Sequence, residues 1–549
     1  MLRAAGAMGV AVAISRVTGL VREQAFAYLF GASDAMDAFN IAFRIPNLFR
    51  NLFAEGAMSA SFVPVLVQVR EKEGEKRAFR LATLVFKVLL VAGLTAAAIG
   101  CLGSPVLVNL MASAFHNTPG KFEQTVALTR ITFFFLPCVS IAAAYMGVLN
   151  SWGFYFLPAL ASALFNIVSV AVGVAMAWIL PRFGFHPIEG MAYGVVVGGI
   201  VQAMCQIPSL KRAGYRPIPR AHSDGPWYRE DGLRRMLMLM GPATLGMAAT
   251  QINTVVNSVL ASGQGEGAVS WLNYAFRLMQ LPMGIFGVSM ATALLPEVSR
   301  LWVRRDLPGI EKALQHSMRH VLALNMPAAA GLAFLAGPII QLIFEYGRFK
   351  PEDTHSTALA LAAYAVGLAF YSLVRILVPL FYGMENTRIP VISSALSIVA
   401  NLILNVVLVK PLGFWALALG TSLASFVNSV YLLGAARVRL REAGGDFHPW
   451  SLLGPFLGHG VLSCVMGVAC WATHSWLASV LPETLLQGVL GMRFGLLAVR
   501  SVRVGFVVVE GVVIIWALAS VFRVRETLEV INWMLRKLTR RFKSGNANV

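Results

Sequence analysis

The chain has 549 residues, of which 57% are apolar and only 13% charged, and its mean hydropathy is +0.69. That balance excludes the soluble globular classes, which at this length divide into domains joined by polar linkers. The formal charge of +19 would suit nucleic acid, but the charges flank apolar runs of about 20 residues that read as membrane helices.

Fourteen candidate spans follow in order: about 4–30, 34–69, 83–111, 126–149, 157–180, 189–209, 236–261, 268–297, 321–343, 357–382, 389–409, 413–435, 451–472 and 504–522. The first run follows a lone Arg3 without a small-residue cleavage site and reads as a retained helix. The stretch 473–503 reads as an interfacial loop helix or a further span. Lysine and arginine divide 28 to 8 between the two sets of alternating connecting segments. That bias puts both termini in the cytoplasm.

The densest conflict with an apolar span lies in residues 16–55. Arg16, Arg22, Arg44 and Arg50 stand there against Glu23, Asp37 and Glu55. An arginine at a helix centre costs roughly 2.5–3.5 kcal/mol, so four cost on the order of 10–14 kcal/mol without compensation. Each pair is six residues apart, about 120° off a common face of an ideal helix. Gly19 and Pro46 fall between the partners, where a kink would bring each pair to one side. One reading is local pairing or snorkelling of each arginine. The other is a water-filled cavity holding an anion, and guanidinium forks match phosphate oxygens bidentately. Asp37 also reads two ways: an ion-pair partner, or a first-turn acid of a helix capped by Ser33.

Sliding the chain by about 233 residues exposes a repeat. Asn40-Ile-Ala-Phe-Arg44 returns as Asn273-Tyr-Ala-Phe-Arg277, Pro64 as Pro296, Gly147 and Asn150 as Gly383 and Asn386, and Pro158 as Pro390. Six spans per copy is an even number, so the copies are parallel repeats with a site expected at midplane between them. The predicted organisation is an all-α polytopic membrane protein of two pseudo-symmetric six-helix lobes plus two C-terminal helices. The N-lobe is 1–210, a cytoplasmic linker 211–235 and the C-lobe 236–435. The last two spans fall in 436–522. The tail 523–549 reads as a basic amphipathic helix on the inner leaflet or as a plain topology anchor.

No Walker A loop, HExxH or Gly-x-Ser-x-Gly is present. The five cysteines lie in apolar runs without a CxxC pattern and read as packing residues. His316 and His320, four apart, read as a solvated helix face, and Gly263-Gln-Gly-Glu-Gly267 as a turn.

Ser15-Arg16, Arg22, Asp37-Ala-Phe, Pro46-Asn47-Leu48, Arg50 and Phe53-Ala-Glu-Gly56 together resemble the opening signature of the MurJ (MviN) lipid II flippase family, within the MOP exporter superfamily. Gly241-Pro242-Ala243, Val269-Ser270-Trp271, Tyr274-Ala275, Arg277-Leu278-Met279 and Tyr346-Gly347-Arg348-Phe349 extend the likeness along most of the chain. The resemblance implies a non-enzymatic transporter of the inner membrane. It would move lipid II, an undecaprenyl-diphosphate-linked disaccharide peptide, between leaflets by alternating access. It further implies substrate contacts at Arg16, Arg22, Arg44, Arg50 and Arg277, supporting or gating roles for Asp37, Glu55, Asn47 and Ser270, and a tail groove on the last two helices. Membrane lipids and the cell-wall synthesis machinery are the implied partners, with no nucleic acid and no cofactor.

Two positions depart from the family pattern: Phe276 stands where many relatives carry an acid, and a sodium site of some relatives falls on Asn257 and Asn405, beside Asn401 and Thr421. Neutral amide oxygens ligate a cation more weakly than a carboxylate. The rival readings are a flippase for another lipid-linked oligosaccharide, a cation-coupled multidrug exporter, and a non-transporting scaffold.

Overall fold

The computed structural model describes residues 2–52, 58–217, 230–485 and 492–529. Glu55, part of the linker 211–235 and most of the basic tail lie outside the described residues. Two compact units divide the chain, one of Met1–Ser270 with Tyr346–Phe349, the other of Trp271–Glu345 with Lys350–Val549.

The first unit opens with α1 (Leu2–Phe30), α2 (Asp34–Phe49) and α3 (Met58–Glu73). It continues with α4 (Glu75–Ala112), α5 (Lys121–Phe133), α6 (Phe135–Ser151), α7 (Phe156–Ile179), α8 (Glu189–Met204), α9 (Ile207–Arg212) and α10 (Asp231–Ser262). Its core gathers Phe62, Leu66, Leu81, Val85, Val148 and Leu233. Because α10 packs on α3 and α4, this unit runs past the 210/236 boundary expected from the sequence. The pair α7 and α8 approaches closely because Gly190, Gly194 and Gly198 line one face of α8, where a Cβ at Gly194 would collide with the Ser169 carbonyl.

The second unit holds most of α11 (Ala268–Pro282), then α12 (Val288–Val303), α13 (Leu307–Phe334), α14 (Ala336–Phe344), α15 (Pro351–Gly383), α16 (Arg388–Leu412), α17 (Ala416–Glu442), α18 (Leu453–Val480) and α19 (Met492–Val521). Leu314, Met318, Leu373, Leu377, Phe381 and Leu432 are in its core. The chain bends by 75° between α13 and α14.

Among the described residues nine helical stretches are long and apolar enough to cross a membrane, ten with the α13–α14 pair. The α2, α3, α11 and α12 segments fall short of that test by length, with 16, 16, 15 and 16 residues. Residues 50–52 form a π turn after α2, and Met283–Gly287 form another after α11. A shift of 233 superimposes position 50 on 283, so the repeat extends to the backbone break. The outermost faces are apolar and exposed, as on α16 at Ile403 and Val407, which suits lipid contact.

Three local expectations change. α1 runs through Gly19 without interruption, and Asn166 of α7 packs beside it, with Nδ2 at an ordinary 3.5 Å from where a Cβ would stand. The described ends of the stretch 473–503 belong to the flanking helices: residues 473–480 complete α18 and 492–503 open α19, while 486–491 lie outside the described residues. His320 is not a solvated side chain, since its Nε2 meets Glu529 at 3.2 Å and its Nδ1 lies 2.9 Å from the His316 carbonyl.

Candidate substrate site

Asp37 is fully buried near the start of α2. Ser33 caps that helix, its Oγ accepting from the Met36 N–H at 3.4 Å, and Asp37 stands in its first turn, the arrangement expected from the sequence. Asp37 also acts beyond its own helix. Its carboxylate accepts from the backbone N–H of Gly267 at 2.9 Å, the N–H of Ser270 at 2.9 Å and the Ser270 hydroxyl at 2.7 Å. These backbone donors lie at the N-terminus of α11, where a helix has no internal acceptors for them. Asp37 is thus a tertiary N-cap, set at the positive end of the α11 dipole. Positions 37 and 270 are the same position in the two copies of the repeat.

The ion-pair reading of Asp37 holds as well. Lys121, at the start of α5, reaches Asp37 at 3.1 Å and Asp34 at 2.5 Å. Its ammonium also sits 4.3 Å from the centre of the Phe115 ring. Counted from sequence among connecting-segment cations, Lys121 is 4% exposed. Asn40 Nδ2 donates to Ser270 Oγ at 3.0 Å and completes the cluster.

The arginines take different environments. Arg22 is 6% exposed and pairs with Glu23 at 2.9 Å and with Asn166 Oδ1 at 3.2 Å. Phe26, Phe43 and Phe165 surround it with ring centres 5.9, 5.7 and 5.6 Å from its guanidinium carbon. A cation so enclosed is held by charge, hydrogen bonds and π faces together. The local-pairing reading therefore describes Arg22. Arg16 on α1 and Arg44 on α2 are half-buried, as is Arg50 at the π turn. Arg44 donates to Ser258 Oγ on α10 at 2.8 Å, and Arg50 to Asn51 Oδ1 at 3.2 Å. Asn47 donates back to the Phe43 carbonyl at 2.9 Å while its buried Oδ1 has no hydrogen-bond partner. In the second unit Arg277 is exposed on α11.

Across residues 16–55 the formal charges balance, Arg16, Arg22, Arg44 and Arg50 against Glu23, Asp34, Asp37 and Glu55, and Lys121, which pairs with Asp34 and Asp37, adds one positive charge to the cluster.

The residues considered for sodium separate into two settings. Asn257 is half-buried on α10 in the first unit. In the second, Asn405 donates to Asn401 Oδ1 at 3.0 Å, Asn401 to Thr421 Oγ1 at 3.2 Å, and Thr421 to the Leu417 carbonyl at 2.6 Å. This ladder joins α16 to α17 with neutral groups that donate to one another. Among the described residues no group of three or more His, Cys, Asp or Glu could hold a metal ion. The donor set does not fit a tight cation site.

Sequence patterns missed Lys121, Asn166 and Ser258. Asn166 carried a usable signal, a lone amide inside the apolar run of α7. Lys121 carried none, because nothing near it in sequence marks its partners more than 80 residues away.

Comparison with known proteins gives the family. The family described as lipid II flippase MurJ matches residues 26–491. A lipid II flippase MurJ of Burkholderia cenocepacia is 35% identical over 426 residues, covering 78% of this chain and 82% of that protein. A probable lipid II flippase MurJ of Rhizobium meliloti is 36% identical over 465 residues, covering 84% and 85%. A solved structure of lipid II flippase MurJ in an inward closed conformation shares the fold, with a TM-score of 0.74 at 24% identity over 94% of this chain and 98% of that one. An inward-facing MATE family multidrug resistance transporter of the MOP superfamily shares it more loosely, with a TM-score of 0.66 at 16% identity over 78% and 95%. With 35–36% identity over aligned regions that cover more than four fifths of such relatives, and a family match over residues 26–491, the chain belongs to the MurJ lipid II flippase family.

Proposed function

We infer that this protein is a lipid II flippase of the inner membrane, carrying the lipid-linked peptidoglycan precursor from the inner to the outer leaflet by alternating access. Family membership supports the substrate; the arginine-rich α1–α2 segment is the observation on this chain that carries the reading. A diphosphate head brings several oxygens and at least two negative charges. Arg16, Arg44 and Arg50 supply forked donors for them from the first unit, and Arg277 is a further contact carried over from the family pattern. Arg22, spent on Glu23 and Asn166, positions that wall and adds to its field. The prenyl tail stays in the hydrocarbon, along the helices of 436–522, because moving it through a polar site would cost far more than leaving it in lipid. No covalent bond changes, so the protein is a transporter and not an enzyme.

Asp37, Lys121 and Ser270 act as a closure on this reading. Charged groups buried this completely are stable only while fully paired, so the cluster favours one arrangement of α2, α5 and the start of α11 and resists intermediate ones. The lobes 1–210 and 236–435, cytoplasmic termini and contacts with cell-wall synthesis enzymes belong to the same proposal. Sodium, if it drives the cycle, binds without a carboxylate on the Asn401–Asn405–Thr421 ladder and so weakly.

The test is rescue. Cells depleted of their own lipid II flippase should grow when this chain is supplied, and purified chain should bind lipid II with an affinity lowered by soluble pyrophosphate. Failure to rescue, together with unchanged binding in Arg50→Ala, would point instead to another lipid-linked oligosaccharide.

A further inference from the structure

A cavity of about 470 Å³ opens within the second unit. Three elements frame it: the bend between α13 and α14, the first turns of α15 and the last third of α18. The first turns of α15 and the last third of α18 are the ends of apolar helices long enough to cross a membrane, so the cavity lies toward one end of those two candidate spans. Its volume falls within the range of about 300–1,000 Å³ typical of small-molecule sites.

The walls differ in polarity. Phe334, Pro338 and Trp471 make the apolar side, and Phe334 and Trp471 remain 37% and 54% exposed on the outer surface of the helices. The other side is Gln341, Thr354, His355 and His474. That polar side is rigid for a visible reason. Glu345 accepts from Thr354 Oγ1 at 2.6 Å, Gln341 Nε2 at 3.2 Å and Arg500 at 2.8 Å. Arg500, 5% exposed, also binds Glu483 at 2.9 Å and the carbonyls of Gln341 and Glu345 at 3.2 Å each. Thr354 and Gln341 are thereby tied to this knot, leaving the two imidazoles to offer donors to a guest. The cavity lies on a different side of α18 from α19: Cys470 and Thr473, which flank Trp471 and His474, face Val507 and Glu510 instead.

We propose that this cavity is a lipid site, in which one apolar chain of an amphiphile lies along Phe334, Pro338 and Trp471 while its phosphate-bearing head hydrogen-bonds His355 and His474. The polarity gradient argues for an amphiphile over a soluble ion. The exposed aromatic side chains on its apolar side offer a path for a chain from the membrane, while its polar side would otherwise hold water that a phosphate head can displace. The phosphate chemistry is common to membrane phospholipids and polyprenyl phosphates.

Photo-crosslinking of the full-length protein in nanodiscs tests this, with chain-diazirine phosphatidylglycerol, polyprenyl phosphate and diacylglycerol as three probes. Peptides spanning 334–341 and 471–474 should label about tenfold above the exposed face of α16, the ratio equivalent to about 1.4 kcal/mol. Ala358→Trp, which fills the cavity, should return them to the α16 level. His355→Ala with His474→Ala keeps the volume and should abolish the preference for either phosphate probe over diacylglycerol. Stronger labelling by one phosphate probe identifies the source. Labelling in the unaltered protein no higher than on α16, labelling unchanged by Ala358→Trp, or a phosphate preference that survives loss of both histidines would each overturn the proposal.

Discussion

Replacing Asp37 with alanine removes the acceptor for four hydrogen bonds at once, from Gly267 N–H, Ser270 N–H, the Ser270 hydroxyl and Lys121. Charge-assisted bonds contribute about 1.5–3 kcal/mol each, but they share one carboxylate and do not add. Breaking a buried ion pair from one side costs about 3–5 kcal/mol, which is the better figure for the whole. At 1.4 kcal/mol per tenfold, that is roughly a 150- to 4,000-fold rise in the opening equilibrium of the first turn of α11. Hydrogen exchange read by mass spectrometry on the peptide covering 264–273 should show it as lost protection at Gly267 and Ser270, with α16 unchanged. Asp37→Asn keeps an acceptor without the charge and should fall between. Lys121→Met leaves two carboxylates uncompensated and should loosen the same turn; joined with Asp37→Asn, it should cost less than the sum of the two. Protection at 267–270 within about twofold of the parent in Asp37→Ala, against a scale where tenfold is 1.4 kcal/mol, would refute the capping role.

Alanine at Arg16, Arg50 or Arg277 should weaken lipid II binding by roughly 10- to 150-fold, one charge-assisted contact each, and lysine should restore only part because the fork is lost; isothermal titration with a soluble diphosphate analogue reads both. Asn405→Ala should impair transport less than Arg50→Ala, since the ladder it breaks is neutral; strict sodium dependence abolished by Asn405→Ala would count against this. Arg500→Met strands Glu345 and Glu483, and should destabilise the second unit by about 3 kcal/mol, near the low end for a buried pair because Glu483 is partly exposed. A thermal melt in detergent checks it, with Glu345→Gln in the same chain restoring part of the loss.

What could be read from the sequence was what repeats along it. The match of Asn40–Arg44 to Asn273–Arg277 gave the shift that relates α2 to α11, and one π turn to the other. Pro46 marked the region of the first break but not its form: the proline sits inside α2, and the chain breaks at 50–52 through one wide turn. Such a turn inserts a residue into the helical register, and so re-aims the side chains after it by about 100°. Apolar periodicity likewise located most span boundaries, and it missed those of 473–503 because α19 begins with three arginines, which on average mark a loop. Partners were not legible, for a physical reason. Lys121 meets Asp37 across 84 residues, Asn166 meets Arg22 across 144, and Arg500 meets Glu345 across 155. No local pattern encodes such a pairing; only the cost of leaving each charge alone in the membrane signals that a partner exists. That cost also separates the two classes of arginine. Arg22 and Arg500 are buried with carboxylates that their own unit provides. Arg16, Arg44 and Arg50 are only half-buried, with Arg44 on Ser258 and Arg50 on Asn51, and on the proposed reading it is these that a substrate bringing its own negative charge would meet.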